Sequence, residues 1–494
     1  MTGDLLIRTV RVAGPGRELL PTADPIDILI IGGRIADIAP AGVMRTTVEA
    51  LDGDGPWVSP GLWDHHVHTV QWALHAQRVP LGGAASAAEA VRMMADVAPL
   101  PDGRVIGAGF RDGLWPDRPT RALLDSTTGE RPAYLINADV HSAWLNSAAL
   151  RREGFDGADD DGMLREEDAF EISRRLNAAD TSTADAAVRA AARRAAARGI
   201  TGLVDFDMSW NADAWRRRAD AGFDTHRVEF AIYPDGLQRA VDEGLRSGAE
   251  LPGTAGLVHV GPLKLITDGS LGTRTAACTQ AYAADPGNFG VLTIEQPRLR
   301  ELLLRAAAAG IDAAVHAIGD RAVASALDAF ALTGARGTVE HAQLVRHADL
   351  ARFARLGIAA SVQPVHAVDD RDLADDLWRH QPAIAYPLAT LLGAGIAVRF
   401  GSDAPVARLD PWEAISAAVH RSDDRREPWH PEERISVDAA LRASSRHGSA
   451  SVAVGAVADL VLCGASPHTA DPDTLRRMPV VATVLGGRIT HVGG

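Results

Sequence analysis

The 494-residue chain carries 50 basic against 64 acidic residues, a formal net charge of −14. That balance repels phosphate backbones and anionic lipid surfaces, so neither nucleic acid nor a membrane is expected as the main partner. Hydrophobic residues make up 46% and charged residues 23%, which excludes a disordered chain. No apolar run reaches the roughly 18 residues of a membrane span, and no basic-then-apolar leader opens the sequence. With only Cys278 and Cys463, a disulfide framework or a cysteine-type zinc site is not expected, and the default is a cytoplasmic protein. One lysine, Lys264, stands among the 50 basic residues.

In chain order, residues 4–12 form a strand-like stretch, and 28–38 read as an apolar run, a Gly-Gly turn and a second apolar run. The same pattern returns at 484–492, after another strand-like stretch at 458–463. Both segments predict tight β-hairpins, so the two ends, 1–58 and 450–494, are expected to build one small composite β-sandwich-like domain. Between them, 59–449 alternates short β-branched runs with Ala- and Leu-rich helical stretches. Candidate strands are 62–68, 201–206, 227–233, 258–266, 311–316, 337–341, 358–363 and 396–402, with helices such as 185–198, 296–309, 320–332 and 347–356 between them. Eight such units predict an α/β fold, a closed (β/α)8 TIM barrel. Residues 69–200 are too many for one crossover and are expected to hold an insertion over the active site, with strands of its own at 104–109 and 133–137.

The strongest local motif is Pro60-Gly-Leu-Trp-Asp-His-His-Val-His68. Two apart on a strand, His66 and His68 point to one face and offer a divalent metal a rigid pair of ligands, while His65 and Val67 should point the other way. His316, His341 and Asp403 close predicted strands five, six and eight. Singly, a histidine at a strand end is usually a satisfied hydrogen bonder. Jointly, strand ends at one rim of a barrel converge on a single point. Lys264 falls on strand four, where a chain otherwise rich in arginine keeps the one cation that burial can neutralise. A neutral amine there can take up carbon dioxide and become a carbamate, a bridge between two metal ions. The run Val105 to Gly113 superficially suggests a dinucleotide loop, but Leu114-Trp-Pro-Asp-Arg-Pro119 cannot open the required helix.

These residues sit in segments that resemble the amidohydrolase superfamily, in particular its YtcJ-like branch, amidohydrolase family 3, which includes N-substituted formamide deformylases. The matching segments are 60–68, 139–147, 263–275, 316–322, 339–342 and 401–405, in order over nearly the whole chain. The resemblance implies that His66, His68 and Asp403 hold one metal and His316 and His341 a second, with carboxylated Lys264 between them. It implies Zn2+, two ions or one. It also implies hydrolysis of non-peptide C–N bonds in amides, N-substituted formamides or cyclic amides by a metal-activated hydroxide. Asp403 would then move the proton, and His341 or His316 would stabilise the oxyanion if a single ion is bound. The family usually has a small residue before the histidine pair; here it is His65.

Substrate contacts are expected from His141 and Asn146 in the insertion, from Asp268 and Arg274, and from Gln363 and His366 after strand seven, with a small molecule as the partner and a homodimer as the candidate assembly. Trp115 and Trp144 are expected in cores. An isomerase or decarboxylase on the same ligands, or a catalytically silent scaffold, are the alternatives; the full ligand set argues against the scaffold.

Overall fold

The computed structural model describes residues 3–493 apart from 17, 19–23, 53, 54, 76, 77, 101, 111, 113, 114, 138–141, 156–160, 166, 178–180, 284 and 425. The chain divides into two compact units, residues 1–69 with 192–494, and residues 70–191. Within the larger unit, eight parallel strands follow one another around a sheet: Leu62–Val67, Ile200–Asp205, Arg227–Ile232, Val258–Ile266, Ala313–Ala317, Gly337–His341, Ala359–Val362 and Val398–Phe400. The sheet closes between its first and last members. Val67 bridges Ala404 in parallel, and the Asp403 N–H donates to the His66 carbonyl at 2.7 Å. The expected eight-stranded barrel is therefore present, and the strand order is the sequence order, as right-handed βα units require.

The first two strands are buried at every position, as befits parallel strands covered on both faces. The helix Asp320–Thr333 shows why its segment reads as helical. Ala322, Val323, Ala326, Leu327 and Phe330 recur at helical spacing and are buried, and Gly334 ends the helix at φ 66°. Inside the barrel, Trp63 packs with Val204, Phe206, Ala231 and Ala314. Burying an indole of about 200 Å2 is worth at most about 5 kcal/mol. Gly202 makes room for it, since a Cβ there would lie 2.1 Å from the Trp63 ring.

Both chain ends enter one eight-stranded sheet. Its path runs Arg488–Val492, Val480–Leu485, Leu460–Cys463, Trp57–Pro60, Leu5–Val12, Ile26–Ile31 and Arg34–Pro40, with Ala50–Asp52 also paired to Leu5–Val12. Ile7, Val10, Ile28, Ile30, Val58, Leu460, Leu462 and Val484 share its core. The two Gly-Gly turns have positive φ at all four glycines, the geometry that lets a two-residue loop follow the strand twist. Both cysteines are buried and free.

The smaller unit holds a five-stranded sheet in the order Met163–Arg165, Ser142–Leu145, Ala133–Asn137, Val105–Phe110 and Val79–Pro80, which includes the two strands expected in the insertion. Among the described residues no helix is long and apolar enough to cross a membrane.

Candidate metal centre

The first barrel strand supplies His66 from within and His68 just past its end. One expectation fails here. His65 does not point away from His66, because the register against the second strand slips between Asp64 and Val67. The extra residue of this bulge turns both adjacent histidines inward. The Nδ1–H of His65 donates to the Phe400 carbonyl at 2.9 Å, and its ring lies 6.0 Å from that of Trp63.

The carboxylate of Asp64 holds the bulge. It accepts from the backbone N–H of His66 and of Ser402, each at 3.0 Å, and so ties the first strand to the segment after the eighth. That segment carries Asp403 at φ 58°, and His341 at the end of the sixth strand has φ 72°. Left-handed backbone is strained for non-glycine residues, and here it turns both side chains toward the barrel axis. The Nε2 atoms of His66 and His68 each lie 3.5 Å from the same oxygen, Oδ1 of Asp403.

Two sets of convergent donors result. One ligand atom from each of His66, His68 and Asp403 lies within 4.8 Å of the others, and the same holds for His341, His366 and Asp403. The chemistry of the set suits a metal ion, because the imidazoles are already oriented from behind. His66 donates Nδ1–H to Glu340 at 2.7 Å, and His341 shares Nδ1 with the Gln363 amide oxygen at 2.8 Å. This leaves their Nε2 lone pairs free to face inward. The Nε2 of buried His366 has no hydrogen-bond partner among the described residues.

Charges in the pocket are strongly coupled. Burial, with Lys264 beside it, pushes His66 down to about 4, so its contact with Glu340 is a hydrogen bond from a neutral ring rather than an ion pair. Burial and the neighbouring rings of His316 and His66 hold His341 well below the usual imidazole range. Burial works against the charge of Asp403, yet His66, His68 and His341 hold it well below the usual carboxylate range. Burial opposes the charge of Glu340 too, but the His66 bond and field, the Lys264 charge and the Thr338 bond together outweigh it and bring the group down to about 2. Lys264 is 2% exposed, its Nζ 3.3 Å from His66 Nε2 and 4.4 Å above the Phe206 ring. Burial pushes its ammonium down to about 8.

Other expected residues lie differently. His316 stands beside the cluster, its ring 4.4 Å from that of His341, with Nε2 turned to the Gly269 carbonyl at 3.2 Å and outside both donor sets. His366, expected to line the mouth for substrate, lies in the donor set of His341 and Asp403. Asp268 is 1% exposed and accepts from the backbone N–H groups of Ala277, Ile318 and Gly319 at 2.9 to 3.0 Å, which ties the segment after the fourth strand to the turn that follows the strand of His316. Arg274 is exposed in the segment after the fourth strand, at φ 57°. Asn146 is fully buried, and both ends of its amide are spent on its own unit. Its oxygen accepts from Ala133 and Ala149 N–H, and its nitrogen donates to Thr128 Oγ1 and the Arg131 carbonyl. His141 lies outside the described residues. Trp144 and Trp115 pack in or against one core, as expected. Sequence reading missed Asp64 and Glu340. The alternation that faces Thr338 and Glu340 to one side of the sixth strand was the available signal for the latter.

The amidohydrolase family profile matches residues 49–491. The chain belongs to the amidohydrolase family. This amidohydrolase is 27% identical to Protein LONG AFTER FAR-RED 3 of Arabidopsis thaliana over 95% of its own length and 88% of that protein's. It is 26% identical to an N-substituted formamide deformylase of Arthrobacter pascens over 94% of each chain. Among solved structures, an uncharacterized metal-dependent hydrolase from Pyrococcus horikoshii superposes with a TM-score of 0.81 at 22% identity, covering 95% of this chain and 99% of that one. Family membership together with the convergent His/Asp donors makes this barrel a metal-dependent hydrolase.

Proposed function

We propose that the chain hydrolyses a non-peptide C–N bond, in an amide, an N-substituted formamide or a cyclic amide. The observation that carries this reading is Asp403, an ionised carboxylate shared by two histidine pairs at the barrel mouth. His66 and His68 with Asp403 would hold one ion and His341 with His366 or His316 a second; nitrogen and oxygen donors of this kind suit zinc. When bound, such an ion supplies hydroxide from water near neutral pH and polarises a carbonyl oxygen.

The chain's own residues do the rest. Asp403 takes the proton released by water and passes it to the leaving amine nitrogen, a role that its place between the two donor sets supports. Glu340 fixes the ring of His66, and Gln363 that of His341, so neither lone pair has to be reoriented during turnover. Burial keeps part of the Lys264 population neutral near physiological pH, which is the form whose nitrogen can bond to the carbon of carbon dioxide, losing a proton as the carbamate forms. That carbamate is part of this proposal. The likeness to a formamide deformylase over 94% of each chain favours formamides within the wider class.

Metal content of the purified protein, followed by a panel of N-acyl, N-formyl and cyclic amides with and without chelator, tests the reading. Release of amine or formate that chelator abolishes and zinc restores is the expected result. Zinc-loaded protein that turns over none of the panel, yet converts a sugar acid, would sink it.

A further inference from the structure

The opposite end of the barrel contains a cavity of about 390 Å3, large enough for a small metabolite. Asp312, Arg336 and Gly357, which lead into three barrel strands, lie at its rim, so it opens where those strands begin and the metal donors lie where they finish. Barrel enzymes work at the C-terminal end of their strands, so this space is separate from the catalytic mouth. Small residues line it: Gly261, Thr338 and Ser361 stand where bulkier side chains could have filled the space.

Its walls are polar and unsatisfied. Among the described residues, Ser361 Oγ and His65 Nε2 are buried without hydrogen-bond partners, on residues that are 1% and 3% exposed. The Nε atoms of Arg399 and Arg446 are also buried and unpartnered. Arg446 at least shares Glu229 with His447, at 3.4 and 3.0 Å. Arg399 has no ion-pair or hydrogen-bond partner among the described residues, and it faces the cavity. A half-buried guanidinium without counter-charge is costly, and water compensates it less well than an oxyanion in bidentate contact. His65 already donates through Nδ1, and its Nε2, unpartnered among the described residues, lines the same space and suits a hydroxyl, which can donate or accept.

We propose that this cavity binds a small carboxylate that also carries a hydroxyl, with the carboxylate on Arg399 and the hydroxyl on His65. The occupant is of hydroxy-acid or amino-acid size. Ser361 supplies a further contact to it. The wall of the site includes Glu340 and Phe206, which touch His66 from the other side, so the two ends of the barrel share structure.

Calorimetric titration of the full chain with glycolate, with serine and with acetate tests the assignment. Glycolate or serine should bind saturably at one site per chain, more tightly than acetate, which lacks the hydroxyl. Arg399→Met should weaken binding at least tenfold and Ser361→Val by a smaller factor, with circular dichroism and melting temperature reporting whether each variant is folded. His68→Ala, which breaks a donor set at the other end, should leave binding unchanged. Binding that His68→Ala abolishes and Arg399→Met preserves would place the ligand at the metal centre and overturn the proposal. No saturable binding by any probe up to tens of millimolar would also overturn it, leaving ordered water as the occupant.

Discussion

Replacing Glu340 with glutamine removes one charge behind His66 while keeping shape and a hydrogen-bond acceptor. In the native protein the His66 ring donates to Glu340 at 2.7 Å, and the Thr338 hydroxyl donates to the other carboxylate oxygen. A hydrogen bond to a charged group is worth about 1.5–3 kcal/mol and a neutral one about 0.5–1.5, so the change costs His66 about 1–1.5 kcal/mol of orientation and basicity. Metal affinity should fall about tenfold, within the range for carboxylates that orient a ligating imidazole. Glu340→Leu goes further, since it strands a buried N–H, and should cost about 2–3 kcal/mol, or roughly a hundredfold. Stability of the metal-free glutamine variant should change little, because the desolvation cost of the buried carboxylate disappears with its charge. Competition against a chromophoric chelator measures the affinities, and thermal melts check the fold. If both variants bind metal like wild type, Glu340 does not act through His66 and the orientation argument fails.

Lys264→Arg keeps a cation but cannot be neutralised or carboxylated, so activity and metal stoichiometry should both drop; an active variant with full metal content would refute a reactive role. Asn146→Ala should lower stability by about 2 kcal/mol through a lost helix cap and orphaned backbone groups, read by thermal denaturation; a raised KM with unchanged melting would restore a substrate role. Burial opposes the charge of Glu229, but His447 and Arg446 hold it down to about 2 from an ordinary 4.5. A depressed folded pKa gives stability that is present above the unfolded value and lost as pH falls toward about 2, here up to about 3 kcal/mol. Urea midpoints of wild type should therefore drop more between pH 4.5 and 3 than those of Glu229→Gln, and parallel curves would refute the pairing.

The barrel was legible because it rests on local information. Eight apolar, β-branched runs separated by helical periodicity leave few ways to bury both faces of a parallel sheet, and two Gly-Gly hairpins announce themselves by their turns. Parts of the site were legible for the same reason: spacing places His66 and His68, and strand ends place His341 and Asp403. What alternation alone predicted wrongly was His65, because a one-residue bulge reverses a side chain without leaving any mark in the composition. Asn146 and Asp268 have residue types that suit either a substrate or a backbone, and only their burial and partners show where their hydrogen bonds are spent.

The lone Lys264 follows the same division. Sequence alone determined its place on the fourth strand and its chemical difference from the 49 arginines around it in the composition. Only closure of the barrel decided that it would meet His66, 198 positions away, at 3.3 Å, and that His366 would join His341 around Asp403. Periodicity is a property of neighbours in the chain, whereas a ring of eight strands sets contacts by strand tilt, bulges and closure, which no local pattern encodes.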